Sequence, residues 1–181
     1  MCRLAVLASL ILTLAGCAGS VPEAPVTSLV STNTTNTAGR IHITVDPCTI
    51  VPASVIERQQ LNKGTPRSDS QTNGDIENVF CKYRSQNEYY LTVAASNYTL
   101  EMLKKTTNHW DQREFELNGR HVLSAYTSPQ PEKHACSMDV AASTGVYGIV
   151  LGTLHDDFSP YPDCLTAARA NLEAFLPYFP L

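Results

Sequence analysis

The chain has 181 residues, with 13 lysines and arginines against 17 aspartates and glutamates, for a formal net charge of −4. A mildly acidic chain without a basic cluster is a poor partner for nucleic acid or for anionic lipid headgroups. The length suits one domain plus a linker, and no apolar run is long enough to cross a bilayer.

Arg3 is the only charge before residue 23, and the stretch from Leu4 to Leu14 is apolar except for Ser9 and Thr13. As a helix it spans about 16 Å, roughly half a hydrocarbon core, which fits the apolar region of a signal peptide. It ends in Leu14-Ala15-Gly16-Cys17, the form of a bacterial lipobox. The expectation is that residues 1–16 are a lipoprotein signal peptide. Cys17 then carries a covalent diacylglyceryl group and an N-acyl chain, two anchors that hold stably. The protein would be exported and fixed to the outer face of the cell membrane. An ordinary secretory signal cleaved elsewhere is the alternative.

Residues 17–40 read as a tether. Ser31-Thr32-Asn33-Thr34-Thr35-Asn36-Thr37 is polar and of low complexity, and it cannot build a core. A single folded domain is expected over residues 41–181.

Within it, Ile41, Ile43 and Val45 alternate with polar residues, a short-strand pattern. Asp46 and Pro47 suit a helix start, and Pro52 restarts a helix to about Leu61. Residues 65–75 are polar and rich in turn formers, and read as a loop. Val79, Cys81 and Tyr83 share one face of a strand whose antiparallel partner is 89–96. Asn97 suits the cap of a helix to about Asn108. Phe115 and Leu117 precede Asn118-Gly119, a type I′ hairpin signal that sets Phe115 opposite Val122. Residues 135–142 and 146–153 form two more strands. Asp163-Cys164 opens a final helix to about Leu176, with Leu165, Ala168, Leu172 and Phe175 as its buried stripe. The expected architecture is α+β: a largely antiparallel sheet of about five to six strands with helices packed on it and two disulfides.

Outside Cys2 and Cys17, four cysteines remain: Cys48, Cys81, Cys136 and Cys164. An even number in an exported domain reads as two disulfides with three possible connectivities. Cys48 and Cys164 each open a helix pattern, while Cys81 and Cys136 sit mid-strand on apolar faces. A helix packed on a sheet brings its first turn near an inward strand position. That favours Cys48–Cys81 and Cys136–Cys164, with swapped pairing as the alternative.

The lipobox, the Ser/Thr-rich tether, Asp46-Pro47-Cys48, Asn118-Gly119-Arg120, Cys136 in a strand and Cys164 before Ala167-Ala168 together resemble a family of actinobacterial lipoproteins. It is catalogued as domain of unknown function 3558, and several mycobacterial envelope lipoproteins are similar to it. The resemblance spans about residues 41–181. It implies a surface-anchored exported protein and no known reaction. Tyr83 stands where the resemblance implies a tryptophan.

Catalytic signals are sparse. Gly-x-Ser-x-Gly, His-Glu-x-x-His and phosphate-cradling glycine patterns do not occur. His155-Asp156-Asp157 offers an imidazole and two carboxylates that suit a divalent cation, though a solvated polar loop explains them as well. Glu114 and Glu116 share a strand face. His42, His109 and His121 read as isolated. Arg120 is expected to pair with Asp139 or Glu116. Tyr89-Tyr90, Phe158 and Tyr161 are candidates to line a groove. The leading expectation is a non-catalytic envelope binding module for a lipid, a cell-wall ligand or a neighbouring protein. Neither a metal nor a cofactor beyond the covalent lipid is expected. The rival is an envelope hydrolase or metal-dependent enzyme using the His155-Asp156-Asp157 loop.

Overall fold

The computed structural model describes residues 35–181 apart from Glu88 and Asp156. Residues 1–34, including the expected lipobox ending at Cys17, lie outside the described residues.

One antiparallel sheet organises the chain. Its strands are β1 (Arg67–Asn73), β2 (Ile76–Arg84), β3 (Tyr90–Ser96), β4 (Trp110–Leu117), β5 (Arg120–Tyr126), β6 (Ala135–Ala142) and β7 (Gly145–Gly152). Their spatial order is β1-β2-β3-β7-β6-β5-β4. Two meanders, β1 to β3 and β4 to β7, meet where β3 pairs with β7. Between them the chain runs from the middle of the sheet to its far edge. The helices are α1 (Ala53–Arg58), α2 (Leu100–Leu103) and α3 (Cys164–Phe175), followed by a 3-10 turn at Leu176–Tyr178.

Among the described residues the sheet has seven strands, more than the expected five to six. The additional one is β1, in the stretch read as a loop. All its positions are exposed, so no apolar alternation marks it. It forms because Gly74, at φ 63°, lets the chain turn between Asn73 and Ile76 and pair along β2. The opposite error occurs at residues 41–45. There Ile41 makes only an isolated bridge to Thr35, while Ile43 and Val45 pack against the core. Alternation reports one-sided burial, and a segment can bury one side without joining a ladder.

Two expected helices are shorter than their patterns. Asp46 Oδ1 accepts the Cys48 N–H at 2.8 Å, which makes a turn in place of a helix start, and α1 begins only after Pro52. The cap of α2 is Thr99, whose Oγ1 accepts the Met102 N–H. Asn97 is used elsewhere. Its Oδ1 accepts the Glu77 N–H at 2.9 Å and its Nδ2 donates to Asp75 O at 3.0 Å.

Other local signals hold. Asn118 and Gly119 both have positive φ, and Phe115 stands opposite Val122. Asp163 caps α3 by accepting the Thr166 N–H at 2.8 Å. The buried stripe of α3 is Ala167, Ala168, Leu172 and Phe175, with Leu165 only partly covered. β7 starts at Gly145, one residue early, because Gly145 already pairs with Ala142.

α3 packs on β6 and β7, over the main core of Leu91, Val93, Met138, Val140, Ile149 and Leu151. One disulfide, Cys136–Cys164, joins β6 to the start of α3 with Cα atoms 6.0 Å apart. The other, Cys48–Cys81, joins the turn after Asp46 to β2 with Cα atoms 4.9 Å apart. Among the described residues, the opposite, outer face of the sheet is covered in part by residues 97–109.

Candidate functional site

The residues singled out from the sequence scatter. The four domain cysteines are all bonded to one another, so none is a nucleophile or a metal ligand. His155 is exposed, and its backbone N–H donates to Thr153 Oγ1. Asp157 Oδ1 accepts the Ser159 N–H at 2.8 Å, and bonding to Ser159 holds its carboxyl below the usual range. Asp156 lies outside the described residues. Among the described residues no three potential ligands converge on a metal position.

The aromatic candidates divide between core and surface. Tyr89 and Phe158 are both buried, with ring centroids 6.1 Å apart, and so are core residues and not groove walls. Tyr161 is half-buried. Tyr90 points the other way along the strand, is 45% exposed and lies 5.6 Å from the Arg84 guanidinium.

Arg120 pairs with neither Asp139 nor Glu116. Its guanidinium donates to the carbonyls of Ala141 (2.6 Å), Pro180 (2.7 Å) and Phe179 (3.2 Å), clamping the last residues against β6. His121 is not isolated. Strand register sets it opposite Glu116, and its Nε2 lies 2.5 Å from Glu114 Oε2 and its Nδ1 3.3 Å from Glu116 Oε1. Bonds to Glu114 first and Glu116 second raise its pKa. Lys104 Nζ reaches Glu114 Oε1 at 2.7 Å from α2. The two glutamates therefore act as counter-ions on a solvated face.

Register also builds an outer-face surface that linear reading cannot assemble. Residues directly opposite one another share a face. One row across the sheet is Lys82, Thr92, Val150, Ser137; the next is Asp69, Phe80, Ala94, Gly148, Asp139, Leu123, Glu114. An open depression of about 450 Å³ lies at the β1 side of these rows, lined by Asp69, Ser70, Gln71, Phe80, Lys82, Thr92 and Val150. Lys82 Nζ pairs with Asp69 Oδ2 at 2.6 Å and sits 6.0 Å from the Phe80 ring centroid. That ammonium holds the Asp69 carboxyl below its ordinary pKa. The depression thus presents an ion pair, an amide and hydroxyls beside an apolar wall, groups suited to a polar ligand. None of it was singled out from the sequence. β1 carries no apolar pattern, and the one available signal was that Phe80 and Lys82 alternate with Cys81.

Farther along the rows, the same face holds a buried acid. Asp139 is 8% exposed and neighbours Leu123 on β5 and Gly148 on β7. Burial pushes its carboxyl up to about 7. A Cβ on residue 148 would stand 2.3 Å from its Oδ1.

A family model described as a protein of unknown function, DUF3558, matches residues 12–177. Neither the curated proteins nor the solved structures contain a match to the chain.

Proposed function

We propose that this chain, which belongs to the DUF3558 family, works as an exported lipoprotein: a non-catalytic binding module anchored at Cys17 to the outer face of the cell membrane. The observation that carries this reading is the combination of Leu14-Ala15-Gly16-Cys17 with a domain whose other four cysteines are all consumed in disulfides. Such bonds persist in oxidising compartments and are rare in the cytosol. A thiol left over in this setting, directly after small residues and an apolar run, suits acylation. The resemblance to actinobacterial lipoproteins supports the same reading.

The binding part of the proposal rests on the outer-face depression, the one exposed concavity described above that joins charged, polar and aromatic groups. Its occupant would be a polar envelope or cell-wall component, or a neighbouring protein. Expression in an actinobacterial host with an alkyne-bearing palmitate probe tests the anchor. Wild-type protein should take up label and partition with membranes, and Cys17→Ala should do neither. An unlabelled wild type with its first sixteen residues intact would overturn the reading. Mass spectrometry after mild extraction from native membranes tests the binding role through co-purifying molecules that Lys82→Ala loses.

A further inference from the structure

Residues 97–109 leave the end of β3 and re-enter the sheet as β4 on the far edge, so they cross the outer face of β7, β6 and β5. Both ends of this crossing are pinned. Asn97 is bonded to Glu77 N and Asp75 O. Just beyond the other end, the Trp110 ring stacks on Tyr126 at 4.7 Å between centroids, and its Nε1 donates to Ser128 O at 2.8 Å.

The middle is held more lightly. Leu100, Leu123 and Val146, with Tyr98 and Leu103 against them, form a small cluster separate from the main core. Gln112 Nε2 donates to Lys104 O at 3.3 Å, and Lys104 Nζ pairs with Glu114 at 2.7 Å. A segment with both ends fixed and a small apolar contact between them is a natural two-state element.

Under this crossing lies an unusual polar pair. Ser137 is 2% and Asp139 8% exposed, on a face where Leu123 and Val146 meet α2. The Ser137 hydroxyl faces the Asp139 carboxyl but makes no hydrogen bond of normal geometry. The carboxyl occupies the space that a Cβ on residue 148 would take.

Among the described residues no cation forms an ion pair with Asp139. The charged and titratable groups on the elements around it are Tyr98, Glu101, Lys104, Lys105 and His109 on the crossing, Asp111, Arg113, Glu114 and Glu116 on β4, Arg120, His121 and Tyr126 on β5, and Tyr147 on β7. Lys104 and His121 are engaged with Glu114, and Arg113 with Asp111. Burial pushes the Asp139 carboxyl up, and the Ser137 hydroxyl offsets this in part.

We propose that residues 97–109 form a pH-sensitive strap, closed over Ser137 and Asp139 while Asp139 keeps its proton and loosened once it ionises. In the loosened state water reaches the carboxyl, which then titrates near its ordinary value of about 4. Between about 4 and about 7, the closed state holds a proton that the open state has lost. Closure therefore weakens about tenfold per pH unit as pH rises through that window, and levels off above it. Opening bares a row that continues through Val150 and Thr92 into the depression on the β1 side.

Hydrogen-exchange mass spectrometry on the full-length chain, from about pH 4.5 to about pH 8 and corrected for intrinsic rates, tests this. In wild type and His121→Gln, protection of peptides within 97–109 should fall about tenfold per unit up to about pH 7, then flatten. In Asp139→Asn this fall with rising pH should be absent, while peptides from β2 and α3 stay protected throughout. A wild-type strap without this slope, the same slope in Asp139→Asn, or loss of the slope in His121→Gln would overturn the proposal. Should Asp139→Asn fail to fold, a carboxyl carbon titration of wild type decides the matter: an Asp139 titrating near 4 removes the strap's switch.

Discussion

Asp139 and Gly148 stand opposite each other on β6 and β7, so close that a methyl group on residue 148 would lie 2.3 Å from the Asp139 carboxylate. The same methyl would lie 2.6 Å from the Met138 carbonyl oxygen, which is backbone and cannot swing away. Gly148→Ala must therefore shift the β6 backbone as well as a side chain. Overpacking of this kind costs about 1–3 kcal/mol. Urea unfolding should show that loss, whereas alanine at Gly152, where the nearest atoms stand at 3.8 Å, should be close to neutral.

His121 supplies a second pH signature, distinct from that of Asp139. Its bonds to Glu114 and Glu116 raise its folded pKa above the ordinary value near 6.5. Its contribution to stability is complete below about pH 6.5 and disappears as pH rises through the higher folded value. The gap in unfolding midpoint between wild type and His121→Gln should close as pH is raised through that range. A gap that stays constant would remove the imidazolium from the account.

The two disulfides close loops of 33 and 28 residues. Loops of that size limit the unfolded chain by about 3–4 kcal/mol each. The double variants Cys48→Ala with Cys81→Ala, and Cys136→Ala with Cys164→Ala, should each lose stability of that order in urea titrations. The second pair should also loosen α3, which exchange at its amides reports. Alkylation of denatured, unreduced protein should leave all four sulfurs unmodified.

Arg120 holds the chain end through three carbonyls, and behind that clamp Phe179 is buried 5.9 Å from the Tyr147 ring. Arg120→Ala should destabilise by about 2 kcal/mol, since bonds from a charged donor are worth more than neutral ones. Exchange at residues 176–181 should rise first. Lysine should not restore protection, because a single ammonium cannot span the fork of a guanidinium.

Much of the local structure was legible in order along the chain. Asn118-Gly119 announced its hairpin because both positions must take positive φ, and Asp163 announced the start of α3 because its carboxylate meets an orphan N–H. β1 was not legible, because an exposed edge strand carries no burial pattern. The helix read from Asn97 was shortened because the Asn97 side chain bonds to Glu77 and Asp75 across the fold. His121 looked isolated in the chain, and only the β4–β5 register set it between two glutamates.

The candidate surface divides in the same way. By itself the sequence determined the mild acidity, the even set of four domain cysteines and the α+β class, since these depend on residue type and on spacing along the chain. Only the tertiary structure decided that Asp69, Phe80, Thr92 and Val150 line one depression and that Asp139 is buried between Leu123 and Gly148. Strand order and register set those neighbours. They bring together residues from four separate strands, and a carboxyl's environment is fixed by what surrounds it in space and not by what precedes it in the chain.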